Sequence, residues 1–140
     1  MEELPSWVLS QVSAQGHRII VERFGAVGAR GYHYRLLHSL VTDGPASQAA
    51  LGRRTGIYLS DLVGALNELE SAGYVQRSPD PADRRRNVVG LTERGRERAV
   101  ELSERAHAVQ DELLAPLSGP EREQLTGLLQ RLWEHHRSGG

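Results

Sequence analysis

The chain has no cysteine and no lysine, and its one methionine is Met1. Without thiols there can be no disulfide, no thiolate zinc or iron–sulfur site and no cysteine redox switch, so an oxidation sensor is not expected. Aromatic residues are only 5% of the 140. No apolar run approaches the roughly 18 residues that span a bilayer. The opening MEELPSW lacks the features of a secretory signal, so a cytoplasmic protein with no membrane partner is expected. Internal repeats and low-complexity segments are also missing.

The signatures of catalysis are absent too. There is no phosphate-cradling glycine loop, no nucleophile in a catalytic context, and no pair of carboxylates on an identifiable scaffold. The glycine-rich run GAVGARG at 25–31 joins two helical patterns and follows no strand, unlike a dinucleotide fingerprint. Neither an enzyme nor a cofactor is expected.

What remains is a chain of about one domain, with 39% apolar and 25% charged residues, leaning towards helix. Its net charge is −1, but the charge is unevenly spread. Residues 77–98 carry seven arginines against Asp80, Asp83, Glu93 and Glu97, a local balance of +3. Residues 99–140 carry seven acids against four arginines, a balance of −3. A basic patch on a nearly neutral chain is the footprint of local phosphate contact.

Periodicity gives the elements. Pro5-Ser6 opens a helix to Phe24 with Val8, Leu9, Val12, Ile19 and Ile20 on one face and Gly16 filling a step. Gly25, Gly28 and Gly31 interrupt it, and a second helix follows over Tyr32–Val41. After the stop at Thr42-Asp43-Gly44-Pro45, Ser47 caps a third helix that ends near Thr55-Gly56. A fourth runs from Leu59 to Ala72 with Gly73 as its cap, and this pair forms a helix-turn-helix unit.

Two extended runs, Tyr74–Arg77 and Asn87–Leu91, flank a loop bearing Arg84, Arg85 and Arg86. A hairpin with an arginine tip between two helices looks like the wing of a winged helix-turn-helix. Thr92 then caps a helix with a seam of Ala99, Leu102, Ala106, Val109 and Leu113. The last helix, Glu121 to about His136, offers Leu125, Leu128, Leu129, Leu132 and Trp133. The expected fold is mainly α (α+β), a winged helix-turn-helix in the order α-α-α-α-β-β-α-α. The terminal helices have apolar faces larger than the central unit can cover, which implies a homodimer. Residues 1–30 and 99–140 would form the dimerisation region, and 31–98 the DNA-binding domain.

The stretch from Leu51 to Gly95 resembles the MarR family of bacterial transcriptional regulators without a gap. Leu51, Gly56, Leu66, Leu69-Glu70, Gly73-Tyr74-Val75, Arg77, Asp83-Arg84-Arg85, Leu91-Thr92 and Gly95 carry the likeness. The resemblance implies a dimer that binds pseudo-palindromic double-stranded DNA, usually represses, and is released by a small-molecule or stress signal.

On the same resemblance Arg85 is the wing-tip arginine that enters a minor groove, held by Asp83 as a bidentate pair, with Arg84 and Arg86 on flanking phosphates. Tyr58, Leu59, Ser60, Asp61, Val63 and Gly64 would face the major groove from the fourth helix. The family commonly has arginine, serine or threonine there, whereas this face has no base. Asp61 either accepts from a cytosine amino group or favours the helix macrodipole. Ser47, Gln48, Arg53, Arg54 and Arg77 are either phosphate contacts or surface residues.

The family's effector pockets lie between the dimerisation helices and the DNA-binding unit. His17, Arg18, Tyr32, His33 and His38 are the candidates here, for a small aromatic or phenolic acid held by Arg or His with tyrosine stacking on its ring. A zinc-responsive regulator is one alternative, using His107, Asp111, His135 or His136, although no spacing is diagnostic and no metal is assigned. A winged-helix protein–protein module without DNA binding is another.

Overall fold

The computed structural model describes residues 2–139. Its elements are α1 (Pro5–Gly25), α2 (Gly31–Asp43), β1 (Ala46–Ser47), α3 (Gln48–Thr55), α4 (Leu59–Ser71), β2 (Val75–Pro79), β3 (Asn87–Leu91), α5 (Glu93–Leu113) and α6 (Gly119–Ser138). This is a winged helix-turn-helix, mostly helical with one small antiparallel sheet.

The sheet corrects the expected order. It has three strands, β1-β3-β2, because Ala46 and Ser47 pair with Val89 and Val88 ahead of α3. A strand of two residues cannot show alternation, so periodicity has nothing to detect. The first hairpin strand is also displaced, running over Val75–Pro79 instead of Tyr74–Arg77. Tyr74 is taken by the end of α4, where its N–H donates to Leu69 O (2.9 Å) and Gly73 N–H to Glu70 O (3.0 Å). These two bonds form a Schellman motif, and it places Gly73 at φ +83°, where a side chain would be strained.

The core is one cluster. Leu36, Leu37 and Leu40 of α2 meet Leu51 of α3, the α4 face of Leu62, Ala65, Leu66 and Leu69, and the inward strand residues Val75 and Val89. α5 packs on both α1 and α2, burying Ala99, Leu102 and Val109 with Ala106 beside them. The predicted seam of α5 is thus largely covered within the protomer. At the α1–α5 crossing Gly16 is buried, and a Cβ there would lie 3.5 Å from Leu113 Cδ2.

The start of α5 is fixed tightly to the end of α4. Thr92 Oγ1 donates to Gly73 O (2.6 Å) and accepts from Gly95 N–H (3.0 Å), while Thr92 N–H donates to Tyr74 O (3.1 Å). A Cβ on Gly95 would fall 1.9 Å from Tyr74 O, so only glycine allows this approach.

Two apolar surfaces stay uncovered. Leu4, Val8, Leu9 and Val12 are exposed on α1 and just before it, and Leu128, Leu129, Leu132 and Trp133 are exposed on α6. α6 buries no residue at all and is tied to α5 by the Arg122–Asp111 ion pair (2.9 Å). Among the described residues no helix is long and apolar enough to cross a membrane.

Candidate nucleic-acid interface and the cavity beside it

The loop between β2 and β3 is ordered by its own aspartates. Asp80 N–H donates to Arg86 O (2.8 Å), Arg86 N–H to Asp83 O (3.0 Å), and Ala82 N–H to Asp80 Oδ1 (2.9 Å). Asp83 Oδ1 accepts from both the backbone N–H and Nε of Arg85, each at 3.1 Å, and Oδ2 accepts from Arg85 Nη2 at 3.3 Å. The Arg85 side-chain hydrogen bond, then the backbone one, holds the Asp83 carboxyl below the usual carboxylate range. The Arg85 side chain is thus held on a fixed stem while remaining 91% exposed. Arg86 Nε lies 3.7 Å from the same carboxylate.

Beside the wing, Ser47, Gln48 and Arg53 of the α3 region meet Arg86 and Asn87 around a cleft of about 520 Å³. Ser47 is engaged as the N-cap, accepting from Ala50 N–H (3.2 Å). Arg54 is turned away, donating to Gly44 O (3.1 Å). Arg77 is drawn inward, with Nη1 3.7 Å from Glu70 Oε1 and its N–H on Glu70 Oε2 (3.2 Å). Arg77 thus clamps the hairpin to α4, and neither its Nε nor its Nη2 has a partner among the described residues.

The N-terminal end of α4 stands out from the body. Tyr58 and Leu59 are 82% and 66% exposed, followed by exposed Ser60 and Asp61. Asp61 sits in the first turn of the helix, where a carboxylate is favoured by the macrodipole.

The sequence-predicted ligand residues do not come together as one group. A cavity of about 630 Å³ between α1, α2 and α5 takes in His17 and Tyr32, but its other polar residues are Arg30, Tyr34, Arg35 and Gln110. Arg18 instead pairs with Gln15 on the outside of α1. His38 packs at a tilt against Tyr34 (ring centres 5.6 Å apart) and faces another cleft of about 410 Å³ with His107 and Arg96. His33 is buried: its Nδ1 accepts from Arg30 N–H (3.1 Å), and its Nε2 lies 3.2 Å from Glu68 Oε2, poorly aligned for a hydrogen bond. Burial is the main cause that lowers the His33 pKa, opposed by Glu68 and reinforced by Arg30.

Arg30 and Arg35 escaped sequence reasoning because their roles depend on partners far along the chain. Arg30 pairs with Glu68 of α4, and Arg35 Nη1 donates to Thr55 O (3.0 Å) at the end of α3. The one local signal was spacing: Tyr32 and Arg35 are three apart on α2, and the Arg35 guanidinium stands 5.4 Å from the Tyr32 ring centre.

The histidines considered for zinc are dispersed. His107 Nδ1 donates to Ser103 O (2.9 Å), Asp111 is paired with Arg122, and His135 packs edge-on to His136. Among the described residues no three His, Cys, Asp or Glu side chains converge as metal ligands would.

The MarR family model matches residues 29–86. An uncharacterised helix-turn-helix transcriptional regulator of Bacillus subtilis, YdgJ, is 30% identical over 125 residues, 89% of this chain and 76% of that protein. A probable transcriptional regulator from Pseudomonas aeruginosa superimposes with a TM-score of 0.84 at 33% identity, covering 94% of this chain and 98% of the other. The same fold occurs in Bordetella bronchiseptica BpsR, described with 6-hydroxynicotinic acid (TM-score 0.85, 23% identity, 94% of both chains). It occurs again in a MarR variant from E. coli complexed with operator DNA (TM-score 0.80, 23% identity, 91% of both chains). With two other curated relatives the match spans 60% and 66% of their length. With the family model and two relatives at 30% and 33% identity covered to 76% and 98% of their length, the chain belongs to the MarR family of transcriptional regulators.

Proposed function

We propose that this regulator is a cytoplasmic homodimeric repressor that binds a pseudo-palindromic operator and is released by a small aromatic acid. The observation that carries the DNA reading is the Asp83–Arg85 fork, an exposed guanidinium pinned by a carboxylate at the end of a hairpin. A narrow minor groove concentrates negative potential, and a weakly hydrated guanidinium suits it. Arg84 and Arg86 serve the flanking phosphates. Ser47, Gln48 and Arg53 take a further phosphate in the cleft beside Arg86. Tyr58, Leu59, Ser60 and Asp61 at the start of α4 face the major groove.

We assign residues 1–30 and 99–140 to dimerisation and 31–98 to DNA binding. Support comes from the exposed apolar residues of α1 and of α6, two surfaces that water would otherwise cover. The effector cavity is the space between α1, α2 and α5, with Tyr32 and Tyr34 for the ring and His17, Arg30 and Arg35 for the carboxylate. The regulation of BpsR DNA binding by 6-hydroxynicotinic acid supports an aromatic acid as the ligand class. The deciding experiment is a gel shift and footprint on DNA upstream of the protein's own gene. Two protected half-sites about one helical turn, roughly 10 bp, apart are expected, and protection without a dyad would overturn the dimer model.

A further inference from the structure

We propose that the Arg30 guanidinium is shared between two carboxylates, so that an anionic ligand in the cavity and Glu68 of α4 compete for it. This rests on the reading of that cavity as the effector site. It adds how occupancy reaches the DNA-facing helix, and it requires the ligand to carry a charge.

Arg30 sits at the N-cap of α2, with its backbone N–H held by His33 Nδ1, so the root of its side chain is anchored. Its side chain borders the cavity between α1, α2 and α5, yet its guanidinium is spent on Glu68. Glu68 lies on the same helix as the exposed Tyr58–Asp61 segment. The second arginine of the cavity repeats the arrangement, because Arg35 Nη1 donates to Thr55 O at the turn between α3 and α4. Both arginines bordering the cavity therefore already hold the helix-turn-helix unit.

Arg30 and Glu68 are each half exposed, and an ion pair in that setting is weak and readily exchanged. Glu68 gives the guanidinium one oxygen, whereas a ligand carboxylate can offer it a bidentate pair. When it takes Arg30, Glu68 keeps only the poorly aligned His33 Nε2, whose burial disfavours the cationic form that could replace the lost charge. α4 then loses a tether to α2. A neutral ligand of the same shape leaves the tether in place. Coupling of this kind is reciprocal: a change that frees the Arg30 guanidinium from Glu68 must tighten the ligand.

The test uses the full-length protein, operator DNA from its own upstream region, and 6-hydroxynicotinate as the probe. Arg30→Ala and Glu68→Gln should each weaken operator binding about five- to tenfold, and the double variant no further, because both changes break one contact. Calorimetry should show Glu68→Gln binding 6-hydroxynicotinate several-fold more tightly than the parent, and the neutral carboxamide should not displace DNA. Independent, multiplying effects of the two substitutions overturn the proposal. So does 6-hydroxynicotinate binding that is absent or unaltered by Glu68→Gln. A parent protein that retards no operator DNA defeats the DNA-binding reading itself, whereas a parent that binds but shows independent effects defeats only the exchange. Glu68 is half exposed, so the variant should keep the parent's helical signal, and circular dichroism checks this.

Discussion

Asp83 accepts three hydrogen bonds from Arg85, one from its backbone and two from its guanidinium, so a single carboxylate sets both the loop and the direction of the side chain. The charge at the wing tip is therefore positioned before any DNA arrives, and little side-chain entropy is left to lose on binding.

Removing the guanidinium should be costly for binding and neutral for the fold. Arg85→Ala is expected to weaken operator binding by about 1–3 kcal/mol, the range of a specific DNA contact, with an unchanged melting temperature. Asp83→Ala should lose less, since the arginine remains but is no longer fixed. Fluorescence anisotropy at physiological salt checks both, and equal affinity of Arg85→Ala and parent would sink the wing assignment.

The α4 face predicts a particular kind of base reading. Leu59 is 66% exposed, and the only apolar group a major groove offers it is the thymine methyl. Replacing the contacted thymine by deoxyuridine should reduce affinity about three- to fourfold, from roughly 0.8 kcal/mol per buried carbon. In Leu59→Ala the thymine and uracil operators should bind alike. A discrimination that survives Leu59→Ala would assign the methyl contact to another residue.

His33 predicts a pH dependence of stability. Burial depresses its native pKa below 6.5, so the unfolded chain takes up the proton first as the pH falls. The stability associated with neutral His33 is fully present above about pH 6.5 and is lost as the pH drops below that value. Urea midpoints between pH 7.5 and 5 should fall more steeply for the parent than for His33→Gln. Parallel profiles would show that the histidine is not the titrating group.

Gly95 predicts intolerance of the smallest side chain. Gly95→Ala puts a methyl where only 1.9 Å separates it from the Tyr74 carbonyl oxygen, and α5 must shift away from that carbonyl. A loss of about 1–3 kcal/mol or more is expected, of the size of core overpacking. The urea midpoint of Gly95→Ala reports it, and a value at the parent's level would mean the junction is softer than its geometry.

Much of this was legible in the chain itself, and the exceptions have physical causes. The wing could be read because Asp83 and Arg85 are two residues apart, so the pair is a local fact. Gly73 could be read because its C-cap chemistry needs no distant partner. β1 could not, since Ala46 and Ser47 become a strand only through Val89 and Val88. The cavity was half read. Of the candidates His17 and Tyr32 border the cavity, while His33 turns inward to Glu68, His38 takes the other side of α2, and Arg30 meets its partner only 38 positions away. Side-chain direction on a helix separates residues that are close in number, and here it divided neighbours between two clefts.

The Thr92–Gly95 junction has a mechanical consequence. Its three short bonds and the bare approach of Gly95 to Tyr74 leave no play between the base of the wing and α5. α5 has 21 residues and is therefore a rod of roughly 30 Å. Pivoted at its far end, it is a lever arm: a tilt of only about 5° carries its near end through ~2–3 Å, close to half the roughly 6 Å width of a minor groove. A clamp with no slack turns a displacement too small to break any helix into one large enough to take Arg85 off the groove proposed for it.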